Sequence, residues 1–223
     1  MIKLGTSDMA KAYVGSTEVS KVYLGSELVY SSAPTYDAEI AYLEGTGTQY
    51  IDTGFSPTNT CGMYVKVCAT QLNGSTSHIG GASGNASNSR WNMNYTGTKK
   101  IAMNWNSTRD TGYSPTVEVY DILESNYLNS RYAYINGVQK VSFSTTLATV
   151  GRSAYIFSTH TQSGFSNPLV GRISEFKISK GSDIEMDFIP VRVGQVGYMY
   201  DKISGKLFGN AGTGSFVLGP DVV

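Results

Sequence analysis

The sequence predicts an all-β chain, an antiparallel β-sandwich of jelly-roll type preceded by a small β-repeat segment. Three observations carry that expectation. Short runs of alternating apolar and polar residues follow one another along most of the chain, separated by Gly, Asn, Ser and Pro clusters, as half-buried strands joined by turns require. Only 15% of the 223 residues are charged, against about 25% in an average soluble protein, while 25 Gly and 16 Tyr favour turns and strands. A single stretch, Asp121 to Asn126, has a pattern that suits a helical turn.

The first thirty residues repeat with a period of ten: MIKLGTSDMA, KAYVGSTEVS, KVYLGSELVY. Leu4, Val14 and Leu24 correspond, as do Gly5, Gly15 and Gly25. Each decad reads as a short strand, a Gly-Ser or Gly-Thr turn and a second apolar position such as Met9, Val19 or Val29. Alternation sends Ala12 with Val14, and Val22 with Leu24, to one face. Strands this short cannot bury a core alone, since chains below ~40 residues usually need a metal, a disulfide or a partner. Residues 1–30 are therefore expected to dock on sister copies, on a larger particle or on the rest of the chain. Residues 31–36, Ser-Ser-Ala-Pro-Thr-Tyr, read as a linker, and the jelly-roll domain as residues 37–223.

In that domain the expected strands are Ala38 to Leu43, Gln49 to Thr53, Gly62 to Ala69, His78 to Ala82, Arg90 to Tyr95, Lys100 to Trp105 and Thr116 to Ile122. They continue with Tyr132 to Ile135 and Gln139 to Phe143 around Asn136-Gly137, then Ala154 to Ser158, Gly171 to Ser179, Glu185 to Val193 and Tyr198 to Tyr200. Asn-Gly between two alternating runs is a strong hairpin signal, because both residues tolerate the positive φ of a type I′ turn. Cys61 and Cys68 fall in one strand, on opposite faces and about 23 Å apart by strand rise, which excludes a disulfide between them.

Charge limits the partners. With 17 Lys and Arg against 17 Asp and Glu, no positive surplus exists to attract phosphate backbones or anionic lipid, so nucleic acid is not an expected partner. Lys3, Asp8, Lys11 and Glu18 interrupt the start where a signal peptide needs an apolar run, and no later run approaches the ~18 apolar residues of a membrane span. The expectation is a protein made in a cytoplasm, without its own export address and without membrane insertion.

Candidate binding residues come from two adjacent strands. In Arg90–Tyr95, alternation puts Trp91, Met93 and Tyr95 on one face and Arg90, Asn92 and Asn94 on the other. In Ile101–Asn106, Met103 and Trp105 share a face with Ile101, opposite Asn104 and Asn106. Both tryptophans travel with Met and Ile, which points to core packing rather than to sugar-stacking platforms. If the strands pair, the four asparagines and Arg90 form a ladder of amide donors and acceptors suited to the hydroxyls of a glycan. An ordinary solvated sheet face has the same composition, and both readings stay open here.

Four polar segments offer a second surface: residues 73–77, 80–89, 106–113 and 158–167, the last with His160. Arg109, Asp110 and Tyr113 are the side chains there best able to anchor a ligand.

Catalytic signals are few. His78 and His160 are the only histidines, and no Gly-x-Ser-x-Gly occurs. Asp183, Glu185 and Asp187 share one strand face, but regular strand geometry separates the outer two by about 13 Å where a retaining pair needs ~5 Å. Neither an EF-hand loop nor a His-x-x-x-His pair is present, so no cofactor is expected.

Several segments carry a resemblance. Residues 41–54, AYLEGTGTQYIDTG, resemble the first two strands of concanavalin A-like, laminin-G-type jelly rolls found in phage and prophage proteins of gut bacteria. The turn Tyr134-Ile135-Asn136-Gly137-Val138 and the closing segments Asp187 to Arg192, Gly197 to Asp201 and Leu207 to Asn210 are similar to the same group. The decads look like the N-terminal repeats of phage tail-associated proteins. The resemblance implies a non-enzymatic virion protein of a tail or surface fibre, released on lysis. It implies attachment to other virion proteins or to itself, as a trimer, through residues 1–30, and recognition of a host-surface glycan or protein by the jelly roll. Such domains sometimes hold calcium. Some jelly-roll glycosidases carry a Glu-x-Asp-x-Glu strand, which the pentad Asp183 to Asp187 resembles with the acid types exchanged. A glycan depolymerase and a purely architectural decoration protein are the alternatives.

Overall fold

The computed structural model describes residues 36–85, 89–106, 108–143 and 149–222, together with six short strands within residues 3–31. The chain divides into two compact units, Met1–Thr35 and Tyr36–Val223.

In the first unit each decad yields one antiparallel hairpin. β1 (Lys3–Leu4) pairs with β2 (Ser7–Asp8), β3 (Ala12–Val14) with β4 (Thr17–Val19), and β5 (Lys21–Leu24) with β6 (Glu27–Ser31). Leu4 faces Ser7, Val14 faces Thr17 and Leu24 faces Glu27, so the same register recurs three times. Between these partners the sequence supplies Gly-Thr or Gly-Ser, the composition a two-residue hairpin loop favours. Each hairpin is a two-stranded sheet of its own. The expected faces of the decad side chains, and linker residues 32–35, lie outside the described residues.

The second unit contains the two large sheets. The larger has eleven strands, running β16 (Val138–Ser142), β15 (Tyr132–Ile135), β14 (Tyr120–Ser125), β10 (Cys61–Ala69), β20 (Val170–Lys180), β21 (Asp183–Val193), β22 (Val196–Asp201) and β23 (Lys206–Phe208). β7 (Ala38–Glu39) joins β21, and β8 (Leu43–Thr46) pairs with β20 and β24 (Val217–Leu218). The smaller sheet has seven strands, in the order β13 (Ile101–Asn106), β12 (Arg90–Tyr95), β11 (Ser77–Ser83), β17 (Tyr155–Ile156) and β9 (Ile51–Asp52). A hairpin of β18 (Thr159–Thr161) and β19 (Gly164–Ser166) attaches to β11, and the β11–β18 contact is parallel. This is the antiparallel β-sandwich that the alternation predicts.

One core cluster lies between the layers. Trp91 and Trp105 from the smaller sheet and Phe176 and Phe188 from the larger are fully buried in it. The sheets approach closely at Gly80, where an added Cβ would lie 2.8 Å from the Phe176 ring. Both cysteines sit on β10 as buried free thiols. Asn136 and Gly137 turn between β15 and β16 with φ of 50° and 75°, as the Asn-Gly signal requires.

One sequence expectation is corrected. Asp121 to Asn126 does not carry a helical turn: all but its last residue belong to β14, which alternates half-buried and buried positions. Leu and Glu favour helix locally, but β14 is hydrogen-bonded between β10 and β15, and that context overrides the preference. A short 3-10 turn follows at Tyr127–Asn129.

The ends of this unit meet. Asp221 bridges Ile40, Val222 N donates to Glu39 O at 2.9 Å, and Arg192 clasps Asp221 through Nε at 2.7 Å and Nη2 at 2.6 Å. Among the described residues, no helix is long and apolar enough to cross a membrane.

Truncating a large core side chain removes both transfer energy and contacts. Phe176→Ala is expected to lower stability by about 3–5 kcal/mol, read as a lower urea midpoint at unchanged slope.

Candidate functional site

β12 and β13 pair antiparallel with Trp91 opposite Trp105, Asn92 opposite Asn104, Asn94 opposite Ala102 and Arg90 opposite Asn106. Residues directly opposite share a face, so burying the tryptophan pair commits the asparagines to the other side. Trp91 Nε1 donates to Cys61 O at 3.2 Å, and Trp105 meets Phe143 edge-on at 5.1 Å. Both rings serve the core.

The three central asparagines form a network. Asn104 Nδ2 donates to Asn92 Oδ1 and, at 2.9 Å, to Asn94 Oδ1, while Asn94 Nδ2 donates to Tyr95 O at 3.3 Å. Asn92, Asn94 and Asn104 retain only 5%, 6% and 6% exposure. With both its amide hydrogens engaged, Asn104 keeps a buried Oδ1 that has no partner. Turning all three amides over would set Asn94 Oδ1 against the Tyr95 carbonyl, acceptor to acceptor, so the bond from Asn94 Nδ2 favours the orientation in which Asn104 Oδ1 is the unpaired atom.

The network faces a cleft of about 370 Å³, within the ~300–1,000 Å³ typical of small-molecule sites. Its lining combines Arg90, Asn92, Asn94 and Asn104 with His78, Ser83 and the threonines 76, 96, 108, 159 and 161. Arg90 is the one charged side chain among them.

His78 arrives by a β-bulge. β11 opposes β12 with His78 at Asn94 and Gly81 at Asn92, and the register shifts between His78 and Gly80. The extra residue brings His78 and Gly81 onto the same face despite their odd spacing. Gly81 itself has φ 134°, and an added Cβ would lie 2.2 Å from Trp91 O and 2.5 Å from Asn92 Cα. Only glycine lets β11 approach Asn92 this closely.

Thr159 and Thr161 come from β18, which reaches the site through a kink at Phe157, φ 67°. Thr159 is 1% exposed, yet its Oγ1 has no partner, and neither does His78 Nδ1. Three unpaired buried polar atoms, on His78, Asn104 and Thr159, therefore line one cleft. Leaving such a group unsatisfied costs about 1–3 kcal/mol, which a hydrogen-bonding ligand would recover.

The other sequence candidates lie elsewhere. Asn106 ends β13 with φ 74° and does not line the cleft. Residues 109–113 run along β13 through bonds such as Met103 N to Arg109 O and Ile101 N to Tyr113 O, both 3.0 Å. Asp110 caps its own turn through Gly112 N at 2.8 Å, and Tyr113 OH donates to buried Asp121 at 2.7 Å. Arg109, Asp110 and Tyr113 contribute nothing to the cleft lining. The four polar segments do contribute: Thr76, Ser83, Thr108, and Thr159 with Thr161 come one set from each.

In the acidic pentad, Glu185 sits at a bulge, since Ile178 pairs with Met186 and Ser179 with Ile184. Asp183 and Glu185 are exposed, while Asp187 is engaged by Lys202 at 2.9 Å and Lys177 at 3.5 Å. Among the described residues, no three His, Cys, Asp or Glu side chains come together as a metal site.

Burial lowers the His78 pKa from 6.5 to about 4, so the ring is neutral at pH 7. As pH falls from 6.5 to about 4, the unfolded chain takes up a proton at this position that the folded chain refuses. Stability contributed here is complete above that window and is lost on acidification through it. The difference in urea-derived stability between pH 7 and pH 4.5 is expected to shrink in His78→Gln.

The chain matches no protein-family model and no curated protein. Its fold is similar to that of a crystal structure titled "putative carbohydrate binding protein" from Bacteroides ovatus ATCC 8483, with TM-score 0.57 at 10% sequence identity. The likeness covers 81% of this chain and 60% of that one, so the present chain spans somewhat less than two thirds of its neighbour's length. At that identity the two proteins share a fold.

Proposed function

We propose that the Tyr36–Val223 unit is a non-catalytic carbohydrate-binding module whose ligand enters the asparagine cleft. The observation that carries this reading is the trio Asn92, Asn94 and Asn104, buried yet incompletely hydrogen-bonded, at the wall of a cleft lined by amides and hydroxyls. A sugar presents paired hydroxyls that donate and accept together, matching a surface on which Asn104 accepts and Asn92 Nδ2 donates. The fold neighbour titled as a carbohydrate-binding protein supports the same class of ligand. The pairing of Asp187 with Lys177 and Lys202 on the acidic strand supports the non-catalytic reading.

In the same proposal, residues 1–30 attach the module to a larger particle or to sister copies, with a trimer as the assembly. The isolated hairpins support it, since a two-stranded sheet is marginal alone and keeps both edges open for pairing. The resemblance of the decads to phage tail repeats supports a place on a virion tail or fibre, facing the host surface. Individual contacts can then be weak, because several copies on one particle multiply avidity.

A glycan array probed with the full chain tests the binding reading, and no retained glycan would end it. For a glycan that binds, Asn104→Ala is expected to weaken affinity about tenfold or more by calorimetry, corresponding to ~1.4 kcal/mol. The attachment reading has its own readout. Removing residues 1–35 is expected to leave glycan affinity intact while the sedimenting mass falls to that of a monomer.

A further inference from the structure

We infer that the cleft selects an anionic sugar, one carrying a carboxylate or sulfate that pairs with Arg90. This rests on the carbohydrate reading above and specifies its ligand.

Arg90 is exposed at the start of β12 and lines the same cleft as the asparagine trio. Among the described residues it has no acidic partner. Its side-chain hydrogen bond among them is Nη1 donating to Thr108 Oγ1 at 3.3 Å, which steadies the guanidinium at the rim and leaves most of its five N–H donors to a ligand. Two other arginines of this unit, Arg172 and Arg192, are held by carboxylates instead. Arg172 is held by Glu44 at 2.7 Å and by Glu118, and Arg192 by Asp221 at 2.6 Å.

Among the described residues no carboxylate lines the cleft, so none of them repels an anion there. His78, the other group able to carry charge, is kept neutral by burial. The site thus offers one fixed positive charge at its mouth and neutral donors and acceptors along its wall. That arrangement fits a ring whose hydroxyls meet Asn92, Asn104 and Thr159 while one anionic substituent takes the guanidinium fork. A planar guanidinium grips a carboxylate through two parallel hydrogen bonds and accommodates a sulfate by the same fork.

The test compares uronate oligosaccharides, their carboxyl-reduced neutral counterparts, and sulfated neutral oligosaccharides on an array, with calorimetry on the full chain. The expected result is that a uronate or a sulfated glycan binds about tenfold or more tighter than its neutral backbone. That preference should vanish in Arg90→Gln and shrink as salt is raised. Which anionic arm binds separates carboxylate from sulfate. Neutral backbones binding as tightly as anionic ones, or a preference that survives Arg90→Gln, would overturn this inference and leave the carbohydrate reading standing. Absence of binding in every arm would overturn both.

Discussion

The asparagine cleft depends on the register between β12 and β13. A strand sends successive side chains to opposite faces, so the pairing that sets Trp91 opposite Trp105 within the core also places Asn92 against Asn104 outside it. A slip of one residue would bury amides among Met and Phe and expose both indoles. The hydrophobic energy of two large aromatics, several kcal/mol each, therefore holds an amide network in place that has little stability of its own. Core and site are two faces of one choice.

That coupling explains what the sequence made legible. Alternation alone separates Trp91, Met93 and Tyr95 from Arg90, Asn92 and Asn94, and the structure keeps that division. His78 escaped the same reasoning because a bulge between His78 and Gly80 breaks the period of two. Nothing local in His-Ile-Gly-Gly announces it. Thr159 and Thr161 escaped because they reach the site through the reversed backbone at Phe157, a bulky residue that strand patterning does not place at positive φ. Conversely, residues 109–113 look like a free loop in the sequence, yet their backbone is laced to β13 and Tyr113 is tied to Asp121.

The two units express different economies of hydrogen bonding. In Tyr36–Val223 the strands find partners within wide sheets. In the decads, three hairpins repeat one register and each stands as its own sheet.

The meeting of the unit's two ends has a consequence for synthesis. β7 and β8 leave the ribosome early, but their partners β20, β21 and β24 lie from Val170 to Leu218, and Asp221 closes the seam. The leading strands must wait, unpaired, until the segment from Val170 to Leu218 has been made. Folding of this unit is consequently governed by long-range closure, slow in the manner of high-contact-order β proteins.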